Sequence, residues 1–318
     1  MIIVITFKIQ NFFKLFRWLI VAVCVIGLYG ILPQLKEFRS VPSLLGSVYM
    51  VDVSFAVVCS LFTVLFAAVT YRILAPRKLP YIRTLVVEFA SGFFNRIVPA
   101  GLGGLGVNYL YFRKSKMTKA QSFGVLALNN GLGAFGHLLL LTGIILYDPS
   151  LLHGFKLHLH YSNADTVIWL IVLVIIGFAI YFHQRLKRFI DSSYLGFRHF
   201  LLYYKQGIWK LVFALVSSML VTSSYLLALY FCSRALGLNI HLATLFLSLS
   251  FGVLLGSSSL SPGGIGTTEI GLISVLVSFG VGTNDALALA LLYRIVSFWM
   301  TFILGAFGEI LVRKFDYV

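Results

Sequence analysis

Ser257-Ser258-Ser259-Leu260-Ser261-Pro262-Gly263-Gly264-Ile265-Gly266-Thr267-Thr268-Glu269 stands in the middle of an apolar stretch, residues 242–281. Proline beside glycine ordinarily marks a turn in water. No polar loop surrounds this one. A second break of the same kind, Asn95-Arg96-Ile97-Val98-Pro99-Ala100-Gly101-Leu102-Gly103, interrupts the apolar stretch 84–112. Irregular backbone at membrane depth survives only where protein or a water-filled cavity satisfies its N–H and C=O groups. Each stretch is therefore read as a helical hairpin that enters and leaves the membrane on one side.

Composition puts the rest of the chain in a membrane. Of 318 residues, 59% are hydrophobic and 11% charged, and mean hydropathy is +0.96. A soluble domain carries roughly 25% charged residues to cover its surface. Soluble enzymes, coiled coils and disordered tails are excluded. The net charge of +15 would suggest nucleic acid in a soluble protein. Here basic loops held at the cytoplasmic leaflet explain it, and nucleic acid is not expected as a partner. Cys24, Cys59 and Cys232 all sit in apolar runs without metal-ligand spacing, so they read as small buried hydrophobes.

Apolar runs at 16–32, 44–71, 120–147, 165–183, 211–232 and 286–312 are each close to or above the ~20 residues that cross a bilayer. No small-x-small cleavage site follows the run Trp18–Leu32, so it is read as a retained first helix. With six spans, two re-entrant hairpins and a cytoplasmic N-terminus, 19 of the 25 basic residues fall inside and four outside, leaving Arg96 and Arg294 in the membrane. That split obeys the positive-inside rule. The C-terminus is then cytoplasmic too. The expected fold is an all-α polytopic membrane protein, a single membrane domain over 1–318. Residues 1–147 form a first repeat with hairpin 84–112. Residues 165–318 form a second, of inverted topology, with hairpin 242–281. A basic, aromatic connector at 184–210 suits an amphipathic helix on the cytoplasmic face. Thr118 and Thr283 each open an Ala-Leu-rich helix after the matching breaks.

Matching Pro/Gly interruptions in two halves point to a transporter's binding site. The candidate residues are Pro99, Gly101 and Gly103 in one break and Pro262, Gly263, Gly264, Gly266 and Thr267 in the other. Thr267-Thr268-Glu269 opens a half-helix whose free N–H groups attract an anion such as phosphate. Packing of helices against the glycines is the alternative use. Charges at this depth cost roughly 2.5–3.5 kcal/mol or more unless paired or wet. Glu88, Arg96, Glu269 and Arg294 are therefore singled out. Arg offers a bidentate fork for phosphate, so Arg96 and Arg294 are candidate phosphate ligands. Glu269 is a candidate to balance charge or carry a proton, or else a packing partner for Arg294. Asn95, Asn129, Asn130 and Tyr293 are polar residues at corresponding depth, and His137 adds a further hydrogen-bonding group. Gly101-x-Gly103-x-x-Gly106 fits a dinucleotide fingerprint, but no Asp or Glu lies between Glu88 and Asp148, so that motif is rejected. His153 and His158-x-His160 have only generic metal spacing. A P-loop, HExxH and a nucleophile elbow are all missing, so no catalytic activity and no cofactor are expected.

Pro262-Gly263-Gly264-Ile265-Gly266-Thr267-Thr268-Glu269, followed by Ala286-Leu287-Ala288-Leu289-Ala290-Leu291-Leu292-Tyr293-Arg294, resembles the closing signature of the lysylphosphatidylglycerol synthase transmembrane region. Asn95-Arg96-Ile97-Val98-Pro99-Ala100-Gly101 resembles its first signature. This chain has Thr268 where the family often has Arg, and Gly103-Gly104 where many members have Gly-Glu. The resemblance implies a flippase-like domain, carrying a lipid with a charged headgroup across a bacterial or archaeal plasma membrane. Expected partners are then a membrane lipid with an anionic or phosphate headgroup, a second copy of the chain, and a lipid-modifying enzyme. The alternatives are a small-anion or solute transporter, and a non-transporting membrane partner of a lipid-modifying or glycosyl-transferring enzyme.

Overall fold

A computed structural model describes residues 48–98, 101–148, 207–259 and 261–318. The expected spans 16–32 and 165–183, most of the connector 184–210, Cys24, Pro99, and the histidines at 153, 158 and 160 lie outside these residues. All described elements are helical. They are α1 (Met50–Leu74), α2 (Tyr81–Ile97), α3 (Leu102–Lys114), α4 (Lys119–Tyr147), α5 (Ile208–Ala235), α6 (Leu242–Ser258), α7 (Thr267–Ser278), α8 (Thr283–Arg294) and α9 (Met300–Lys314). A π turn, Ile295–Trp299, joins α8 to α9.

Among the described residues, four helices are long and apolar enough to cross a membrane: α1, α4, α5 and the continuous Thr283–Lys314, at 25, 29, 28 and 32 residues. At 1.5 Å per residue even α1 reaches about 37 Å, beyond a hydrocarbon core of about 30 Å. They coincide with four of the expected spans. Large apolar side chains such as Phe55, Phe62, Trp209, Phe307 and Ile310 are exposed on them, as lipid-facing surfaces require. Thr118 opens α4 with a reciprocal cap: its Oγ1 accepts from Gln121 N at 3.2 Å, and Gln121 Oε1 accepts from Thr118 N at 2.9 Å.

The two interrupted stretches form helix pairs. Their arms are 17 and 13 residues (α2, α3) and 17 and 12 residues (α6, α7). Each is about 18–26 Å long, shorter than the hydrocarbon core. In the first pair, Thr84 meets Tyr111, Ser91 meets Asn108, and Asn95 meets Gly104. That register runs antiparallel and closes toward the break. In the second pair Gly252 lies against Thr268 and Leu272, and Gly256 against Thr268, which is again antiparallel. The arms touch backbone to backbone because small residues face each other. A Cβ on Gly271 would lie 2.8 Å from the Gly252 backbone, and one on Gly103 would lie 2.2 Å from Phe94 O.

The halves interlock. α1 and α5 pack antiparallel, tied by Tyr49 N donating to Ala235 O at 2.9 Å and Thr70 Oγ1 donating to Ser217 Oγ at 3.0 Å. Their shared core includes Ala56, Cys59, Leu229 and Cys232. Both cysteines are free and buried, as their apolar settings suggested. α9 lies on α2, with Gly305 and Gly308 against Phe89, Ala90 and Phe93. α4 reaches α6, where His137 Nε2 and Ser250 Oγ are 3.0 Å apart. The α2–α3 pair thus packs on α9, and α6 meets α4.

Close packing at Gly271 generates a test. Gly271→Ala is expected to lose about 1–3 kcal/mol of stability, read as a lowered thermal transition in detergent. Gly106→Ala, where an added Cβ meets nothing within 4 Å, is expected to be neutral or mildly stabilising.

Candidate functional site

The second break is built around Arg294. After α6, Ser259 is extended, Pro262–Gly264 make a single 3₁₀ turn, and Gly263, Gly264 and Gly266 adopt φ of +60°, +67° and +86°. Only glycine enters that region freely. The turn leaves carbonyls without helical partners. Arg294 Nη2 donates to Gly264 O at 2.9 Å and Gly263 O at 3.3 Å. The same guanidinium meets Glu269 through Nε to Oε1 at 2.6 Å and Nη2 to Oε2 at 3.3 Å. Glu269 Oε2 in turn accepts from Gly266 N at 2.8 Å. Thr267 Oγ1 donates to Gly264 O at 3.1 Å. The anion at the start of α7 is therefore the chain's own Glu269 carboxylate. The Arg294 and Glu269 side chains are 11% and 14% exposed, so the pair is largely withdrawn from solvent.

Arg96 ends α2 at the first break and is held differently. Nη1 donates to Gly92 O at 2.7 Å, and Nη2 donates to Ser297 O at 2.9 Å and to Thr301 Oγ1. Its Nε is buried without a hydrogen-bond partner. Among the described residues it forms no ion pair. Phe298 stands between the two arginines, its ring centre 5.3 Å from the Arg96 guanidinium and 5.0 Å from that of Arg294. Two cations on one aromatic ring share its negative π faces. The breaks meet here: a Cβ on Gly263 would lie 3.3 Å from the Arg96 Cα.

A cavity of about 460 Å³ opens at this junction. From the first hairpin it is lined by Glu88, Asn95, Arg96 and Gly101, and from the second by Gly263 and Gly264. Tyr293, Arg294 and the serines Ser257 and Ser261 before the second break are on its wall too. Other candidates support the wall from behind. Gly103 sits under Phe94, Asn95 Oδ1 accepts from Gly104 N at 2.7 Å, and Pro262 is buried in the turn. Glu269, Gly266 and Thr267 fasten the second tip. Asn129 and Asn130 are not on the wall: Asn129 Nδ2 donates to Tyr71 Oη at 3.1 Å, and Asn130 is exposed on α4. The helix before Gly101 also disposes of the dinucleotide motif, which needs a strand there.

Several wall residues were not foreseen. Ser297, Phe298 and Thr301 follow Arg294 at helical spacing in an apolar run. Ser91 and Gly92 lie on the helix face already marked by Glu88, Asn95 and Arg96, at i+3 and i+4 from Glu88. That period was the signal available. Tyr225 and Thr63 join from α5 and α1, and nothing local in the sequence marks them.

Interleaved helix pairs, apolar spans and a cavity at their junction define an all-α membrane protein. The chain belongs to the lysylphosphatidylglycerol synthase TM region family, whose model matches residues 15–305. It is similar to a UPF0104 membrane protein of Methanocaldococcus jannaschii, 24% identical over 230 residues, covering 70% of this chain and 95% of that protein. A UPF0104 membrane protein of Methanothermobacter thermautotrophicus is 36% identical over 80 residues, which span 25% of this chain and only 24% of that relative.

The largely buried Glu269–Arg294 pair is expected to be costly to break from either side. Glu269→Gln and Arg294→Gln should each lose about 3–5 kcal/mol, and the double variant clearly less than their sum, because each single change strands a charge. Unfolding in detergent reads both. The exposed Lys114–Asp316 pair is expected to contribute under about 1 kcal/mol.

Proposed function

We propose that the chain sits in the membrane as six spans with two opposed re-entrant hairpins, and that it moves a phosphate-bearing lipid between leaflets. The headgroup enters the cavity at the hairpin junction while the tails stay in lipid. The observation that carries this reading is Arg96. It is a guanidinium set at a cavity wall, with no ion-pair partner among the described residues and with a buried, unpartnered Nε. A cation so placed lacks its counter-charge, and an anionic headgroup supplies it. Arg294 is already engaged by Glu269 and two carbonyls, so its role is to hold the second tip in shape and to lend positive potential across Phe298.

Supporting this reading, the cavity volume falls within the ~300–1,000 Å³ of typical ligand sites, enough for a headgroup but not for two acyl chains. The short hairpin arms allow the tips to rest inside the hydrocarbon, where backbone breaks need such polar support. Family membership agrees with a flippase-like role.

Reconstituted vesicles test it. A fluorescent phosphatidylglycerol should exchange between leaflets, and Arg96→Gln should slow exchange at least about tenfold, the loss of one charge-assisted contact of roughly 1.5–3 kcal/mol. Flux of inorganic phosphate without lipid exchange would favour a solute transporter and overturn the lipid reading. Absence of both would favour a non-transporting partner protein.

A further inference from the structure

Of the four charges singled out at membrane depth, Glu88 is left without a role in the site described above. It lies on the cavity face of α2, eight residues and about 12 Å along the helix from Arg96. The hairpin register fixes its surroundings. One contact toward the helix start, Thr84 Oγ1 and Tyr111 Oη are 2.9 Å apart, and one contact toward the tip, Asn108 Nδ2 donates to Ser91 Oγ at 3.1 Å. Glu88 falls between them, with its carboxylate in hydrogen-bonding reach of the Asn108 side chain.

Two buried oxygens remain without a donor there: Glu88 Oε1 and Asn108 Oδ1. An ionised carboxylate can only accept, as can an amide oxygen. Two stranded acceptors side by side cost free energy, because each gives up its water for nothing. A single proton on Glu88 changes the chemistry. The carboxylic acid then carries one O–H, a donor where the carboxylate had none. The carboxylate of Glu88 lacks an ion-pair partner among the described residues, and so does Arg96. Both face one cavity.

We propose that Glu88 is a proton-binding site coupled to occupancy of Arg96: it takes up a proton as an anionic headgroup binds, and releases it as the headgroup leaves. The empty cavity then holds Arg96 and an ionised Glu88, which offset each other through the cavity. In the loaded cavity the phosphate replaces Glu88 as counter-charge, and Glu88 becomes a neutral acid. Anion and proton therefore cross together, and the net charge of the cavity is the same in both states. The step is balanced: one proton from solution joins one carboxylate oxygen, and no other bond changes. This proposal rests on the headgroup reading above.

The groups around Glu88 and along the cavity wall are consistent with this role. α1 presents Tyr71, α5 Tyr225, and α8 Tyr293 and Arg294, which is committed to Glu269. α3 brings Asn108 and Tyr111, and α9 brings Thr301 to the cavity wall. Arg96 is on its own helix. No other carboxylate among the described residues lines the cavity to compete for the proton.

The test is proton uptake on binding, measured with an indicator dye in weakly buffered detergent while a short-chain phosphatidylglycerol is titrated into the full chain. Wild-type protein is expected to take up about one proton per lipid bound near neutral pH, and Glu88→Gln to bind the lipid with no uptake. Glu88→Ala serves as a second variant should the glutamine form not fold. Binding by the wild type without uptake overturns the coupling and leaves the headgroup reading standing. Uptake that persists in both Glu88 variants moves the proton to another group and also overturns it. No binding by the wild type sinks the headgroup reading and this proposal with it.

Discussion

Backbone polar groups in hydrocarbon must find partners inside the protein, and at the second break Arg294 supplies them. It holds the Gly263 and Gly264 carbonyls with Nη2 and binds Glu269 through Nε and the same Nη2, and Glu269 caps Gly266 N. Three groups of different kinds, a cation, an anion and a glycine turn, satisfy one another. Without that closed set the tip would carry bare carbonyls, and a half-helix could not end where it does. The first break solves the same problem more modestly, with Asn95 Oδ1 accepting from Gly104 N.

The consequence is a division of labour between two arginines that look alike in sequence. Arg294 spends its hydrogen bonds on its own chain. Arg96 borrows a helix carbonyl, the Ser297 carbonyl and the Thr301 hydroxyl, all neutral, and keeps one nitrogen unpartnered. Neutral acceptors solvate a guanidinium but do not cancel its charge. The π turn at Ile295–Trp299 matters here, since it sets Ser297 and Phe298 against Arg96 directly after Arg294. Such turns are often found at working sites.

Much of this was legible beforehand, for reasons that can be stated. Helix length and hydropathy are local properties, so α1, α4, α5 and the final helix were readable as spans. Proline and glycine in apolar sequence marked both hairpins, and charge in oil marked Glu88, Arg96, Glu269 and Arg294. The sequence also paired Glu269 with Arg294 as one of two options, and the structure shows the ion pair. It did not reveal that the pair would consume the helix N-terminus, because that depends on the side-chain reach of Glu269 back to Gly266. Nor did it separate Asn129, which turns to Tyr71, from Asn95, which stays at the break. Phe298, Ser297 and Thr301 gain meaning only because α9 crosses α2. Asn108 becomes relevant only once the register of the first hairpin is known.

The depth of the two breaks tests the account most directly. With the native cysteines replaced, spin labels placed singly at Asn95 and at Ser261 can be ranked by relaxation with oxygen, which concentrates in the bilayer centre, and with a water-soluble nickel chelate. The account requires both labels at a common depth near the midplane, and both reached by the nickel complex through the cavity. Labels lying in bulk water at a membrane face, or buried in hydrocarbon beyond the reach of nickel, would contradict it.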